Sequence, residues 1–211
     1  MIVILMGAPG AGKGTQADYL MRENAFYKIS TGDILRRQIE SKTELGRSVE
    51  AIMNQGRLVS DSILTAVLKL ELENSRGKNI VLDGFPRTIA QAEWLAKNEQ
   101  IAGVLHIDVD REELIRRIEG RLVCSQCQAV YHASEKPPKL AGKCDRCSSE
   151  LKVRRDDERD RVEARLDVYT RETEPVLGFY KKNGKYFRVD GARSQAEVSG
   201  RIKELLSQLE R

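Results

Sequence analysis

A glycine-rich segment near the amino terminus holds residues whose types and spacing suit chemistry on a phosphate. Residues 7–15 read Gly-Ala-Pro-Gly-Ala-Gly-Lys-Gly-Thr and lie between a short apolar run and a helical pattern. Glycines let successive backbone N–H groups turn toward a phosphate, and the start of a helix adds partial positive charge. In this context the segment predicts a phosphate-binding loop, and a ligand-free glycine turn is the weaker alternative. The expected phosphate contacts are Gly10, Ala11, Gly12, Lys13, Gly14 and Thr15.

Two charged side chains would complete this site. Lys13 would reach the β- and γ-phosphates and neutralise charge during transfer. The usual loop has Ser or Thr directly after the lysine, whereas this chain has Gly14 and then Thr15, so the metal-side hydroxyl is shifted or lost. Asp83 ends an apolar run and could hold Mg²⁺ through water, or it could cap a helix. The loop predicts a nucleotide-binding protein without distinguishing a kinase from a GTPase or a motor ATPase.

The cysteines of the chain fall in one short segment. Cys124 and Cys127 form one Cys-x₂-Cys pair, Cys144 and Cys147 form another, and sixteen residues separate the pairs. This is the spacing of a four-thiolate zinc ribbon, in which protein ligands fill every position and the metal is structural. Disulfides are one alternative, disfavoured in a cytosolic protein. A nucleic-acid-binding ribbon is another, but the chain lacks interleaved aromatic residues and a concentrated basic face.

Apolar runs and helical patterns alternate along the rest of the chain, and this alternation must position the phosphate loop. It predicts an α/β fold of the P-loop NTPase type, with a parallel sheet of about five strands flanked by helices. Ligands would bind outside the carboxyl ends of the strands. The expected strands are 1–6, 27–29, 80–82, 104–109 and 186–189, and the expected helices are 13–23, 62–74, 89–97, 112–119, 157–182 and 195–209.

Composition limits the class of protein. The chain has 211 residues, a formal net charge of +4 and interleaved opposite charges, as in a globular protein with a solvated surface. The apolar run at residues 1–6 is too short to span a bilayer and lacks the features of a signal peptide. We therefore expect a cytoplasmic protein that binds neither membrane nor nucleic acid.

Several ordered segments resemble adenylate kinases, and together they cover essentially the whole chain. They are Gly-Ala-Pro-Gly-Ala-Gly-Lys-Gly-Thr-Gln over 7–16, Ile-Ser-Thr-Gly-Asp-Ile-Leu-Arg over 29–36, Gly-Arg-Leu-Val over 56–59, Leu-Asp-Gly-Phe-Pro-Arg-Thr over 82–88, Arg-Ile-Glu-Gly-Arg over 117–121, Val-Arg-Arg-Asp-Asp over 153–157 and Arg-Leu over 165–166. The resemblance implies a monomeric enzyme for Mg²⁺-dependent ATP + AMP ⇌ 2 ADP, serving adenine nucleotide homeostasis. It also implies a P-loop core at 1–29, 60–120 and 159–211, an AMP-binding insert at 30–59, and a zinc-binding ATP lid at 121–158.

The resemblance assigns roles to residues along these segments. Those expected at ATP, besides the phosphate loop, are Arg117, Arg121, Val130, Tyr131 and Arg193. Those expected at AMP are Thr31, Gly32, Arg36, Arg57, Leu58, Val59, Gly84, Phe85, Pro86, Arg87, Gln91, Arg154 and Arg165. Those expected to act in catalysis are Lys13, Arg87, Arg121, Arg154 and Arg165. The family usually has Lys at the position of Arg57 and a second arginine at that of Leu122, so any role of that arginine side chain is absent here.

Other functions remain open at this point. A kinase for UMP or CMP would share most of these segments, and Thr31 with Gln91 favours AMP. A switch GTPase is disfavoured because no Asn-Lys-x-Asp segment is present to read a guanine base. A non-kinase P-loop nucleotide-binding protein is a further alternative.

Overall fold

The computed structural model describes residues 1–23 and 26–210 of the chain. Its strands and helices follow the predicted alternation and confirm the predicted α/β fold class. The strands are β1 Ile2–Met6, β2 Tyr27–Ser30, β3 Ile80–Asp83, β4 Ile101–Asp108, β5 Arg121–Cys124, β6 Val130–His132, β7 Leu151–Lys152 and β8 Tyr186–Asp190. The helices are α1 Lys13–Glu23, α2 Thr31–Glu40, α3 Glu44–Asn54, α4 Asp61–Asn74, α5 Ile89–Asn98, α6 Arg111–Glu119, α7 Arg159–Val168, α8 Glu174–Lys182 and α9 Gln195–Leu209.

Five parallel strands form the central sheet, in the order β2-β3-β1-β4-β8. β1 lies in the middle and is buried along its length. Its alternate side chains enter two separate core clusters, with Ile4 in one and Val3 in the other. Because successive strand side chains point to opposite faces, this places an apolar layer on each side of the sheet.

The register brings the carboxyl ends of three strands to one edge. Asp83 of β3 lies opposite Leu5 of β1 on one side and Ser30 of β2 on the other. The phosphate loop follows β1, and α2 follows β2, so the loop, Asp83 and the start of α2 meet at this edge. The predicted ligand site therefore lies where open parallel sheets usually bind ligands.

Two insertions leave this sheet. α2 and α3 form a helical pair, and each begins at a side-chain cap, since Ser30 accepts from Asp33 N at 3.4 Å and Thr43 accepts from Gly46 N at 3.0 Å. The second insertion forms an antiparallel three-stranded sheet, in the order β6-β5-β7. We call residues 121–158 the lid.

The long helix predicted over 157–182 differs from the one observed. A short 3₁₀ turn, Arg155–Asp157, precedes α7, and a π-helical turn, Tyr169–Thr173, separates α7 from α8. Pro175 lies in the first turn of α8. Proline has no backbone N–H and its ring clashes with the carbonyl four residues earlier, so regular α-helical bonding cannot continue through this point. Among the described helices, none is long and apolar enough to cross a membrane.

Candidate active site

The phosphate loop is a tight connection between β1 and α1. Gly10 and Gly12 have φ angles of +88° and +93°, which L side chains rarely adopt. A Cβ on Gly10 would also lie 2.8 Å from the carbonyl oxygen of Leu114. The loop conformation therefore requires glycine at these positions, as the predicted motif provides.

Lys13, at the first position of α1, folds back over the loop. Its Nζ donates to the carbonyl oxygens of Gly7 at 2.7 Å and Ala8 at 2.9 Å. Burial lowers the pKa of Lys13 to about 8, against attraction from Asp83, and three nearby arginines lower it further. An ammonium held in such surroundings is stabilised by an added anion, so the position favours binding of a phosphate.

A cleft of about 430 Å³ lies between the phosphate loop and the lid. It is lined by every residue that the sequence analysis placed at ATP, and by Asp83 and Arg154. Those residues are Gly10, Ala11, Gly12, Lys13, Gly14, Thr15, Arg117, Arg121, Val130, Tyr131 and Arg193. They come from the core and from the lid, so the fold brings together residues from near both ends of the chain.

A second cleft, of about 120 Å³, lies between the sheet edge and the helical insertion. Most of the residues predicted at AMP line it. They are Thr31, Gly32, Arg36, Arg57, Leu58, Val59, Gly84, Phe85, Pro86, Arg87 and Arg165. The lining is mainly apolar away from the arginines, as expected where a base is enclosed.

The two clefts meet at a cluster of cations. Lys13, Arg36, Arg87 and Arg165 line both of them. Two anionic groups that enter from opposite clefts would therefore be held end to end at this junction. Fixed cations at such a point can stabilise charge that develops during group transfer.

Asp157, which the sequence analysis did not identify, fixes two of the arginines. Its side chain is 0% exposed, and its Oδ2 accepts from Arg121 Nε at 2.7 Å. Its Oδ1 accepts from Arg165 Nη1 at 2.9 Å and also contacts Arg121 Nη2. Asp156 adds an ion pair to Arg165 at 3.0 Å. These carboxylates hold an arginine of the lid and one of α7 in a single arrangement.

Asp33 performs the same function for two other arginines. Its Oδ1 lies 2.5 Å from Arg36 Nη2 and 3.8 Å from Arg154 Nη2. The Nε atoms of Arg36 and Arg154 are buried and lack a hydrogen-bond partner within the described part of the chain. Burial lowers the pKa of Arg154 to about 9, with Arg36 and Arg121 contributing. Buried cationic donors of this kind require an acceptor, which an anionic ligand would supply.

Gly84 connects the sheet edge to the smaller cleft. Its carbonyl oxygen accepts from Thr31 Oγ1 at 3.1 Å and from Arg87 Nε at 2.8 Å. Gln91 contacts the same segment of chain. Its Oε1 accepts from Arg87 N at 2.7 Å and its Nε2 donates to Asp61 at 2.6 Å. Gln91 is 0% exposed and, in the part of the chain described, does not line either cleft. Its contact with a base stays a prediction.

The four cysteines converge at one point in the lid. Their sulfur atoms lie within 4.8 Å of one another, with Cys124 Sγ 3.4 Å from Cys147 Sγ and Cys127 Sγ 3.5 Å from Cys144 Sγ. Tetrahedral thiolate ligands at the usual Zn–S distance are separated by about 3.8 Å, so this donor set fits one zinc ion.

Neighbouring residues support this cysteine cluster. Tyr131 is buried, and its hydroxyl lies 3.5 Å from Cys144 Sγ and accepts from Asp145 N at 2.8 Å. His132 accepts at Nδ1 from Ser134 N at 3.3 Å and Glu135 N at 3.1 Å. These hydrogen bonds fix the turn that follows β6.

Comparison with known proteins agrees with this geometry. A family model described as adenylate kinase matches residues 5–185. A curated adenylate kinase of Carboxydothermus hydrogenoformans is 44% identical over 98% of this chain and 99% of its own length. One of Caldicellulosiruptor bescii is 43% identical over 99% of both chains. One of Methanocella arvoryzae is 44% identical over 99% of this chain and all of its own length.

Proposed function

The chain belongs to the adenylate kinase family, and from that premise we propose that it interconverts ATP and AMP with two ADP at the junction of the two clefts. The observation that carries this proposal is the cation cluster of Lys13, Arg36, Arg87 and Arg165, which lines both clefts. Two nucleotides that enter from opposite sides would place their phosphates together there. Phosphoryl transfer depends mainly on positioning and on stabilising charge, and the cluster can do both.

On the donor side, ATP binds in the larger cleft. Its phosphates lie over the N–H groups of the phosphate loop, and Lys13 moves its ammonium from the loop carbonyls to the β- and γ-phosphates. Arg121 reaches the transferring group from the lid, and Arg117 approaches from α6. The base lies toward Arg193, which is mostly exposed and paired with Asp190.

On the acceptor side, AMP binds in the smaller cleft. Its base lies among the apolar residues around Val59 and Phe85, with Thr31 and the predicted contact Gln91 reading the adenine edge. Arg36 and Arg87 bind the α-phosphate with their planar forks. The fork of Arg87 is already oriented by the carbonyl of Gly84.

During transfer, the charge on the moving phosphoryl group spreads over three oxygens. Arg87, Arg121, Arg154 and Arg165 surround that position, together with Lys13. Because Asp157 and Asp33 already fix several of these guanidinium groups, little reorganisation accompanies the reaction. No carboxylate has to act as a general base, since the acceptor is a phosphate oxygen.

We propose two metals. Mg²⁺ bound with ATP supplies charge neutralisation at the phosphates, and Asp83, at the end of β3 beside the phosphate loop, would hold it through water. Zn²⁺ held by the four cysteines would stabilise the lid, whose apolar core is small. We further propose that the enzyme acts as a cytoplasmic monomer, as the family resemblance implies.

The test is a coupled assay of ADP formation from ATP with AMP, UMP or CMP as acceptor. We expect AMP to give kcat/KM at least about a hundredfold above the pyrimidine nucleotides, since a base pocket that leaves polar groups unpaired rejects the wrong ligand strongly. Comparable rates with UMP or CMP would mean that the enzyme accepts a broader class of nucleoside monophosphates. No turnover with any monophosphate would refute the proposal.

A further inference from the structure

The charged side chains around Asp33 join four parts of the chain. Lys28 of β2 donates to Asp18 Oδ1 of α1 at 2.9 Å and lies 3.2 Å from Asp33 Oδ2 at the start of α2. Asp33 uses its other oxygen, Oδ1, for Arg36 and for Arg154 of the lid. The side chains of Lys28, Asp18 and Asp33 are 16%, 17% and 15% exposed.

We propose that Lys28 is a positioning residue for the acceptor side of the reaction and that it acts through Asp33. This inference rests on the proposed function, because it concerns how AMP is held. Lys28 fixes one oxygen of the Asp33 carboxylate, and so aims the other oxygen at the guanidinium groups of Arg36 and Arg154. Those guanidinium groups then direct their buried Nε atoms, which have no hydrogen-bond partner in the described part of the chain, toward the phosphate of AMP.

The carboxylate alone would not hold this orientation. The carboxylate of an aspartate can rotate. If Arg36 and Arg154 were its only partners, either of its two oxygens could face them. Burial raises the pKa of Asp33, but Arg36, Lys28 and Arg154 together hold it well below its ordinary value. The carboxylate thus remains charged between three cations. Of these three, Lys28 is the one that lies in a strand of the central sheet.

The arrangement also connects the two clefts. Asp18 lies on the helix that begins at the phosphate loop, so the sequence of contacts Asp18–Lys28–Asp33–Arg36 runs from the donor side to the acceptor side. Lys28, Asp33 and Arg154 line only the larger of the two clefts, whereas Arg36 lines both. A role through charge alone would therefore affect ATP more than AMP. A role through the orientation of Arg36, which Asp33 fixes and which reaches the smaller cleft, would affect AMP more.

The experiment measures AMP and ATP affinity separately by titration calorimetry, together with KM, kcat and melting temperature. In Lys28→Met, which keeps the length of the side chain and removes the charge, we expect the Kd for AMP to rise about tenfold, because a charge-assisted contact contributes roughly that factor. The Kd for ATP should change less than threefold by the same reasoning. Lys28→Arg should restore most of the AMP affinity because it keeps a donor to both carboxylates.

Lys78→Met is the matched control, since Lys78 packs on Tyr27, the residue before Lys28, and is not part of the cluster. It should leave both affinities unchanged. Equal losses for ATP and AMP, or an unchanged Kd for AMP in a folded Lys28→Met, would overturn the inference. Failure of the wild-type chain to phosphorylate AMP would instead refute the proposed function. If Lys28→Met does not fold, Lys28→Gln and Lys28→Arg provide the comparison, and equal AMP affinity in those two also overturns it.

Discussion

The substitution Asp157→Asn tests whether the Asp157 carboxylate orients Arg121 and Arg165 for transfer or instead contributes to the binding of nucleotides. Asn keeps the shape of the side chain but turns one oxygen into a donor, which would face a guanidinium nitrogen of Arg121 or Arg165. Hydrogen bonds to charged groups contribute about 1.5–3 kcal/mol each, and the site loses at least one of three. Breaking a buried ion pair costs about 3–5 kcal/mol, so the free energy of unfolding should fall by about 3 kcal/mol.

The effect on catalysis follows from the same contacts. If alignment of Arg121 and Arg165 is worth about 2–3 kcal/mol in the transition state, kcat falls roughly 30- to 150-fold. The assay is steady-state turnover with both nucleotides saturating, with the melting temperature measured in parallel. Asp167→Asn, on the helix α7 that follows the turn of Asp157, is the control, because Asp167 is 65% exposed and pairs with Arg111 on the surface. That change should cost less than about 0.5 kcal/mol and leave kcat unchanged.

A kcat within twofold of wild type in folded Asp157→Asn would refute the reasoning. The carboxylate would then stabilise the junction between the lid and α7 without orienting the arginines for transfer.

Three further outcomes follow from single contacts. The pKa of Lys13 is lowered to about 8, so its ammonium is present below pH 8 and lost above it. ATP affinity measured by calorimetry should therefore fall by up to about tenfold per pH unit above 8. Lys13→Met should remove this pH dependence. Elemental analysis should find about one zinc per chain, and Cys144→Ser should lower the melting temperature while AMP binding survives; metal-free protein of unchanged stability would exclude the site. A Cβ on Gly120 would overlap the imidazole of His132, so Gly120→Ala should cost about 1–3 kcal/mol in thermal unfolding, whereas Gly200→Ala, in open space on α9, should stabilise by about 0.5–1 kcal/mol.

The parts of the site that the sequence predicts are those coded by local spacing. A phosphate-binding loop needs glycines at fixed positions after a strand, and a four-cysteine metal site needs two Cys-x₂-Cys pairs. In both cases the chemistry itself dictates the pattern, so a short stretch of sequence is sufficient. The strands of the sheet are predicted for a similar reason, because burial on both faces gives continuous apolar runs.

The carboxylates that fix the arginines were not predicted. Asp157 pairs with Arg121 across 36 positions, and Asp33 meets Lys28 and Arg154 only because β2, α2 and the lid come together. A charged chain offers many possible pairs, and spacing along the sequence does not distinguish them. The adjacent aspartates after Arg155 were a visible signal, but without the fold their partners could not be assigned.

The environment of Gln91 was missed for a related reason. The resemblance to adenylate kinases implies that this residue lies near the acceptor pocket, but it does not indicate which groups the amide contacts. The structure pairs the amide with Arg87 N and Asp61, so any contact with a base has to use its second N–H or the second lone pair of Oε1, or follow a rearrangement. Tertiary packing decides this point, and the same is true of the π-helical turn before α8.

The carboxylates beside the arginines affect the attraction of phosphate and the orientation of the guanidinium groups in opposite ways. A carboxylate beside each arginine weakens the attraction for phosphate, since it cancels positive charge, but it fixes the direction of the guanidinium group. Asp157→Asn removes a negative charge, so nucleotide binding should hold or tighten while kcat falls. Because an interaction that acts only in the transition state lowers kcat without raising KM, this combination would identify Asp157 as a positioning residue. A rise in KM with kcat unchanged would mean that the carboxylate supports binding of the ground state instead.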